Sequence, residues 1–454
     1  MKMKMTCKFI LIPFVVALAA ASARAEEPSA EELKRAVAQL QAEVARLKAE
    51  AAGPERLAEL ERRIGLLAQE LEKTRTGGAV DVDPRSGGLL GLAPAASKVY
   101  RAGRGVSIGG YGEAVYENYS SERQDGVASG RTDQFDFLRQ VIYVGYKFDD
   151  RILFNSEIEF EHASTGKGGE VSVEFAYVDF QPRKAFGLRA GMLLVPMGFL
   201  NELHEPPIFH GAKRPEVESA IVPSTWRENG AGAFGEVGSL QYRAYVVSGL
   251  SSAGINASGI RGGRQSGARS QSEDFGITGR LDFTGVPGLL AGASFFTGES
   301  GQGATVSGAT LGGRVNLYDL HVQYERRGLQ LRALAAFGSV GDAALINAAN
   351  TLTGARSVGT DQFGWYVQAA YDVATLRPST TWSVTPFVRY ECLDTQDGVP
   401  AGFQDDPATA RNSLTAGLGV KPISNVVLKA DFQRYRNDGR SGVNQWNLAV
   451  GYLF

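Results

Sequence analysis

Cysteine, histidine, net charge and long apolar runs are all scarce in this chain, and each shortage excludes a class of protein. Only two cysteines, Cys7 and Cys392, and four histidines occur among 454 residues, so a Cys/His zinc cluster is not expected. The formal net charge is −2, which gives no electrostatic basis for a nucleic-acid partner. No run of about 18 apolar residues follows residue 25, so no transmembrane helix is predicted in the mature chain.

The sequence also lacks a recognisable catalytic grouping. His162 and His321 stand alone, without serine and aspartate neighbours in the arrangement that nucleophilic catalysis needs. His204 and His210 flank a Pro-Pro pair and do not form an H-E-x-x-H motif. We therefore predict no enzymatic activity, no metal site and no cofactor.

The chain begins with a targeting segment. "MKMKMTCKFILIPFVVALAAASARA" has lysines first, then an apolar run, and it ends on Ala23-Arg24-Ala25. This pattern is typical of a secretory signal peptide cut before Glu26. We expect residues 1–25 to be removed and the protein to leave the bacterial cytoplasm.

Residues 26–75 carry a heptad pattern that is interrupted at Gly53-Pro54, where proline forbids a continuous helix. The apolar positions are Leu33, Val37, Leu40, Val44, Leu47 and Ala51, and after the break Leu57, Leu60, Ile64, Leu67 and Leu71. The pattern predicts a periplasmic coiled-coil stalk that oligomerises, as a dimer or a trimer, or contacts peptidoglycan. Docking of the helix on its own domain remains the alternative. Residues 76–105 contain Gly-Gly pairs and a proline, and they predict a flexible Gly/Pro linker.

From residue 106 onward the helical period disappears and apolar and polar residues alternate. The last strand, "VNQWNLAVGYLF", places Gln445 and Asn447 on one face. The opposite face carries Trp446, Leu448, Val450, Tyr452 and Phe454. Other strands place charged side chains at the centre of the polar face, as in "RILFNSEIEFEH". A protein core does not accept so many charges, yet the apolar faces must still be hidden from water.

A closed barrel with lipid outside and water inside satisfies both demands. Short connections alternate with long polar ones along the chain, which is the asymmetry of an outer-membrane barrel. We predict an all-β, antiparallel transmembrane barrel of about 16 strands over residues 106–454. A barrel of this size leaves an aqueous channel. The predicted location is the bacterial outer membrane, with the stalk in the periplasm.

The longest connection of the predicted barrel, residues 195–230, is the candidate functional site. A loop of this length is seldom without a function, and we expect it to fold into the lumen and narrow it. Its predicted constriction residues are Glu202, His204, Glu205, His210, Lys213, Arg214, Arg227 and Glu228. Alternation places further charges on the lumen wall, namely Arg139, Glu157, Glu159, Arg189, Arg280 and Arg389. Inward acids and bases nearly balance, so ion selectivity does not follow from the sequence.

The stretch "LRAGMLLVPMGFLNE" resembles the strand and "P-x-G" entry into the constriction loop of the phosphate-selective porin O/P family. The resemblance covers about residues 100 to 454. It implies a homotrimer that lets small anions such as phosphate cross the outer membrane. The predicted function is therefore a porin for passive diffusion of small hydrophilic solutes or ions. The alternative is a structural protein that tethers the outer membrane to the cell wall through its coiled coil.

Overall fold

A computed structural model describes residues 89–163, 168–377, 380 and 382–454, together with the isolated positions Arg62 and Gly65. The predicted signal peptide lies outside the described residues, as does the predicted stalk apart from those two positions. The part of the predicted linker before residue 89 lies outside them as well. None of the described helices is long and apolar enough to cross a membrane.

Within the described residues, sixteen antiparallel strands form one closed barrel, as the sequence predicts. They are β1 (Gly105–Arg123), β2 (Gln134–Lys147), β3 (Ile152–Glu161), β4 (Val171–Arg183), β5 (Phe186–Leu194), β6 (Arg227–Val237), β7 (Leu240–Ser248), β8 (Phe275–Phe283), β9 (Leu289–Gly298), β12 (Val315–Arg326), β13 (Leu329–Val340), β14 (Asp361–Tyr371), β15 (Ser383–Gly398), β16 (Arg411–Ile423), β17 (Val426–Asn437) and β18 (Val443–Leu453). The short strands β10 (Thr305–Val306) and β11 (Ala309–Thr310) pair separately, outside the barrel.

The barrel closes where β1 pairs with β18. The backbone of Phe454 continues this pairing, because its N–H donates to the Gly110 carbonyl at 2.9 Å and its carbonyl accepts from the Gly110 N–H at 3.0 Å. Closure leaves no strand edge with unpaired backbone groups, which a hydrocarbon environment would not tolerate.

The two faces of the last strand are those predicted from alternation. Trp446 and Leu448 point outward and are 60% and 56% exposed. Gln445 and Asn447 point inward and are buried. Large apolar side chains are likewise exposed on the outer face of the other strands, from Ile108 on β1 to Leu428 on β17.

The two ends of the barrel differ in the length of their connections. At one end, the short-turn end, β12 and β13 are joined by Arg327 and Gly328 alone, and both residues have positive φ (51° and 84°). Two successive positive φ angles are typical of a type I′ hairpin turn, and glycine adopts them without strain. β1 starts and β18 ends at this short-turn end. The opposite, long-loop end carries the long connections, such as residues 249–274 and 341–360.

Among the described residues from 89 onward, the α-helices are short. They are α1 (Lys98–Arg101), α2 (Val217–Ala220) and α3 (Ala343–Ala349). The first two belong to segments that lie inside the barrel. These segments are the lumenal segment, residues 89–104, and the inner loop, residues 195–226 between β5 and β6.

An apolar cluster fills part of the barrel interior. It joins Leu92 of the lumenal segment, Phe199 and Trp226 of the inner loop, and wall residues such as Tyr111 and Phe296. The alternating pattern of the sequence predicts water around the inward charges. The structure differs because two interior segments bring their own apolar side chains into the lumen and cover most of those charges.

Candidate functional site

The inner loop enters the barrel from the end of β5 and returns to the start of β6. The side chain of Asn201 ties its two ends together. Its Nδ2 donates to the carbonyls of Val195 and Trp226 at 2.6 and 2.9 Å, and the Trp226 N–H donates to its Oδ1 at 2.7 Å. Asn201 is buried, so all its polar atoms need such partners. The loop therefore has a fixed base.

The second half of the inner loop folds back on the first through Glu218. One carboxylate oxygen of Glu218 accepts the N–H groups of Phe199 and Leu200, each at 2.6 Å. The other oxygen accepts the hydroxyl of Tyr366 on β14 at 2.6 Å. One buried carboxylate thus joins both halves of the loop to the barrel wall.

Charged residues of β8 and β12 hold the entry of the loop at Gly198. The Gly198 N–H donates to Asp319 Oδ2 at 3.1 Å, and its carbonyl accepts from the guanidinium of Arg280. His321 lies between Asp319, at 2.6 Å from Nδ1, and Asp282, at 2.7 Å from Nε2. The expectation that His321 is isolated is therefore wrong. Its partner Asp282 lies on another strand, 39 positions away in the sequence, so the contact could not be predicted from neighbouring residues.

This network also contains a serine, Ser294, but it lacks the geometry of a nucleophile. The Ser294 hydroxyl donates to Asp319, and both ring nitrogens of His321 are bonded to carboxylates. A reactive serine needs a base that accepts its proton. The network is therefore an anchor for the loop. Among the described residues, no group of three or more His, Cys, Asp or Glu side chains is arranged to hold a metal ion.

His204 joins the middle of the inner loop to β3. Its Nδ1 donates to the Asn201 carbonyl at 3.0 Å, and its Nε2 lies 2.9 Å from Glu157 Oε1. Burial acts to lower the pKa of His204, but the Glu157 carboxylate outweighs burial and the pKa is raised. The pair is an ion pair across the lumen when the imidazole is protonated.

Glu205 connects the inner loop to the lumenal segment. Its Oε2 accepts the Ala95 N–H at 3.2 Å, and its Oε1 accepts the Ala96 N–H at 2.9 Å. Burial raises the pKa of Glu205 to about 7, although the two N–H groups favour the charged form. This carboxyl group therefore titrates near neutral pH.

We expect the Glu205→Gln substitution to remove part of the pH dependence of stability. A pKa raised from its ordinary value near 4.5 to about 7 contributes stability below pH 4.5 that is lost as the pH rises through 7. The loss is at most about 3–4 kcal/mol for the native protein. His204 and Glu157 face Glu205 and are present in both the native protein and E205Q, so the comparison isolates Glu205.

Urea unfolding in detergent at pH 5 and pH 8 measures this effect. The native protein should lose more stability between the two values than E205Q does. The exposed Glu122→Gln serves as the control and should behave as the native protein. Equal losses in the native protein and E205Q would show that Glu205 does not titrate in this range.

The tip of the inner loop, residues 207–213, is held by cations of the opposite wall. Lys421 Nζ on β16 donates to the Pro207 carbonyl at 2.7 Å, and Lys429 Nζ on β17 donates to the Gly211 carbonyl at 2.8 Å. Each lysine ammonium has three N–H donors, and the loop carbonyl uses only one of them. Both cations can bind further acceptors beside the tip.

Arg389 and Asp431 complete the attachment of the tip. The Arg389 guanidinium donates to the carbonyls of His210 and Lys213 at 3.1 and 3.3 Å. Asp431 Oδ2 accepts the Ala212 N–H at 2.6 Å. The tip is therefore bonded through its backbone to three neighbouring strands, β15, β16 and β17, and is a rigid obstacle in the lumen.

A cavity of about 30 Å³ lies beside this tip. Its loop side consists of Pro207, Phe209, His210 and Gly211, and its wall side of Gln330, Ser383, Thr385, Gly419, Lys421, Val427 and Lys429. His210 Nε2 donates to Gln330 Oε1 at 2.7 Å, and burial lowers the pKa of His210 to about 3, so its ring is neutral. The cavity has room for about one water molecule and is lined by two ammonium groups.

The structure places the predicted constriction residues in several environments. Glu202 lies 3.5 Å from Arg243 and 3.9 Å from Arg280. Lys213 forms an ion pair with Glu117 on β1. Arg214 has one buried guanidinium nitrogen, Nη2, without a hydrogen-bond partner.

Arg227 and Glu228 belong to β6 rather than to the loop, since this strand begins at Arg227 and not at Ala231 as predicted. Arg227 pairs with Glu174 at 2.6 Å. Glu228 accepts the hydroxyl of Ser248 at 3.0 Å. Neither residue lies at the tip beside the cavity.

The six predicted lumen-wall residues are buried inside the barrel and lie in ion pairs. The pairs are Arg139 with Glu113 (2.8 Å) and Glu159 (2.9 Å), Arg189 with Asp179 (2.8 Å), Arg280 with Asp282 (2.8 Å), Arg389 with Glu391 (2.8 Å), and Glu157 with His204 (2.9 Å). Lys421 and Lys429 were not among the predicted site residues. Alternation along β17 signals that Lys429 faces inward, but its contact with the loop tip is not visible in the sequence.

No family model matches this chain. A protein of Aquifex aeolicus (strain VF5), described as uncharacterized, is 36% identical over 377 residues, which cover 80% of this chain and 83% of that protein. The chain belongs to the family of that protein. The length of the match shows that the two members share most of the chain, and the relative's description assigns no function to the family.

Solved structures extend the comparison of the fold. The outer membrane channel DcaP of Acinetobacter baumannii superposes with a TM-score of 0.50 at 13% identity, over 77% of this chain and 97% of that chain. OmpF of Salmonella typhi, in complex with daunomycin, gives 0.49 at 11% identity over the same shares of the two chains. The likeness to DcaP shows a common fold for this family member and that channel.

Proposed function

We propose that the protein is an outer-membrane channel for passive diffusion of small ions and hydrophilic solutes. The observation that carries the proposal is a closed barrel of sixteen strands that is apolar outside and charged inside, with an anchored loop across its lumen. An outward apolar face on every strand suits a hydrocarbon environment. The fold shared with a protein described as an outer membrane channel supports the same function.

The orientation follows from the two ends of the barrel. Outer-membrane barrels have short periplasmic turns and longer extracellular loops. We therefore assign the short-turn end to the periplasm, where the predicted stalk would precede β1. The resemblance to the porin O/P family and the heptad pattern support a homotrimer, which chemical cross-linking in detergent would detect.

Small anions are the proposed preferred solutes. The cavity beside the loop tip is lined by the ammonium groups of Lys421 and Lys429, while the nearby Asp431 is bonded to the Ala212 N–H. Charges at the narrowest point set the preference of a pore. Chloride and phosphate carry the charge that two ammonium groups attract, and the resemblance to phosphate-selective porins points to the same class.

Replacing both lysines by glutamine is expected to shift the preference of the channel toward cations. In a planar bilayer under a salt gradient, the native protein should give a reversal potential of the sign for anions. The double variant K421Q/K429Q should move it toward zero or the opposite sign. The matched control is Lys184→Gln, since Lys184 is exposed in a turn at the same end of the barrel.

Two results would contradict the proposal at different levels. Cation preference in the native protein, or an unchanged reversal potential in K421Q/K429Q, would reject the assigned anion preference. If neither the native protein nor the variants that lack the interior segments give conductance steps, the channel is rejected and the tether is favoured.

A further inference from the structure

We propose that the lumenal segment, residues 89–104, is a plug that occupies the β1–β7 side of the lumen and sets the size limit of the channel. The proposal rests on the proposed channel function. The glycines and prolines of residues 76–105 predict a flexible linker there. The structure places them inside the barrel, in the half next to the short-turn end.

Burial is the first observation that supports a plug. Leu92, Ala93 and Ala95 are each 1% exposed, and Val99 is 2% exposed. The apolar cluster of the barrel interior includes Leu92 and Ala96 together with Tyr143 and Tyr177 of the wall. A linker in solvent would leave these side chains in water, so their burial stabilises the segment in the lumen.

Hydrogen bonds to the wall are the second observation. Asn155 Nδ2 on β3 donates to the Ala96 carbonyl at 2.8 Å. The Tyr100 hydroxyl donates to Asp179 Oδ2 on β4 at 2.6 Å and accepts from Arg189 on β5 at 2.7 Å. These partners lie on three successive strands, so the segment is bound across a broad part of the wall.

Lysines hold the segment where it meets the start of the barrel. Lys98 Nζ donates to the carbonyl of Ile108 on β1 at 2.8 Å. Lys147 Nζ at the end of β2 donates to the Ala102 carbonyl at 3.1 Å. The segment therefore turns into the lumen directly before β1, and its position is fixed at both its middle and its end.

The inner loop contacts the segment from the other side. Glu205 accepts the N–H groups of Ala95 and Ala96, as described above. At Gly91, an added Cβ would lie 2.1 Å from Arg243 Nη1 and 3.0 Å from Glu202 Oε1. The segment thus fills the space between the wall and the loop, and a side chain at Gly91 would require the guanidinium of Arg243 to move.

The wall itself is shaped around the segment. A Cβ at Gly145 on β2 would lie 2.7 Å from Val99 Cβ. A Cβ at Gly109 on β1 would lie 3.3 Å from the Ala95 carbonyl oxygen. Larger inward side chains at either position would displace the segment, so the absence of side chains there accommodates it.

The cavity beside the loop tip lies on the opposite side of the lumen. Its wall residues come from β13, β15, β16 and β17, and no residue of the lumenal segment lines it. The segment therefore closes one side of the lumen, and the lysine-lined cavity lies on the side that the segment leaves uncovered. We expect the native channel to pass small ions and to exclude sugars.

The test replaces residues 90–102 in the full-length protein with a three-residue Gly/Ser link. Single-channel conductance in planar bilayers and entry of sucrose into proteoliposomes are measured for the native protein and the variant. We expect conductance to rise several-fold and sucrose to enter only with the variant. Replacing the exposed residues 125–131 of the β1–β2 loop with a similar link is the control and should leave both readouts unchanged.

A point variant provides a second test in case the variant with the replaced segment does not fold. Gly145→Leu keeps the chain length and should expel the segment through the clash with Val99, again raising conductance. Val144→Leu, on the outward face of the same strand, is its control. Heat-modifiable migration in SDS gels shows that each barrel is folded.

The outcomes separate the plug from the channel. If the native protein conducts, and the folded segment variant and G145L conduct to the same extent, the plug is overturned and the channel stands. If the native protein gives no conductance and the variants conduct, the segment closes the channel completely, and its proposed role as a size limit is overturned. If none of the folded forms conducts, the channel and the plug are both overturned.

Discussion

Replacing residues 197–225 of the inner loop with a short Gly/Ser link is expected to raise single-channel conductance several-fold. The loop crosses the lumen from β5 to its anchors on β15, β16 and β17, and its apolar residues form part of the interior cluster. A pore of sixteen strands without interior segments leaves an aqueous channel. Removal also deletes Glu205, which is one of the contacts of the lumenal segment. Planar bilayers measure the change.

The loop deletion needs its own control because it removes buried contacts. A variant with a link in place of exposed residues 125–131 reports the effect of an altered loop outside the lumen. The backbone pairing of the barrel strands does not include the inner loop, so the barrel should still form. Unchanged conductance in a folded loop variant would show that this loop does not obstruct the pore.

Replacing Arg389 by methionine is expected to lower the free energy of unfolding by about 3–5 kcal/mol. Arg389 is 1% exposed and pairs with Glu391 at 2.8 Å. It also donates to the carbonyls of His210 and Lys213 at the tip of the inner loop. Its loss leaves a buried carboxylate without its cation and frees the tip. Urea unfolding in detergent, followed by tryptophan fluorescence, gives the value.

A second substitution separates the charge effect from the loss of packing. In R389M/E391L no unpaired carboxylate remains, and replacing both partners of a buried pair with apolar residues is often close to neutral. We therefore expect the double variant to be more stable than R389M alone. Arg440→Met, at an exposed position, controls for the loss of one positive charge. If R389M were as stable as R440M, Arg389 would not hold the tip.

The alternation of apolar and polar residues predicted the barrel because it arises within each strand, between neighbouring residues. Successive side chains of a strand point to opposite faces, so Trp446 and Leu448 had to lie on one face and Gln445 and Asn447 on the other. The number of strands followed from counting such stretches. The start of β6 at Arg227 was missed because "RENG" carries no apolar alternation, and its pairing with β5 makes it a strand.

The interior was harder to predict because its contacts join residues far apart in the sequence. Glu205 meets Ala95 and Ala96 across 110 and 109 positions, and Lys429 meets Gly211 across 218. One local signal of the plug was present. "LLGLAPAASKVY", residues 89–100, is too apolar for a solvent-exposed linker, yet its glycine and proline suggested one.

The sequence by itself determined the β-barrel, the direction of each strand face and the loop that enters the lumen, since period-two alternation and loop length act over a few residues. Only the tertiary structure decided which inward charges pair, where the loop tip is anchored and that residues 89–104 lie inside the barrel. Those features arise when barrel closure brings opposite walls together, and their energy comes from burial and hydrogen bonds between segments that no local pattern links.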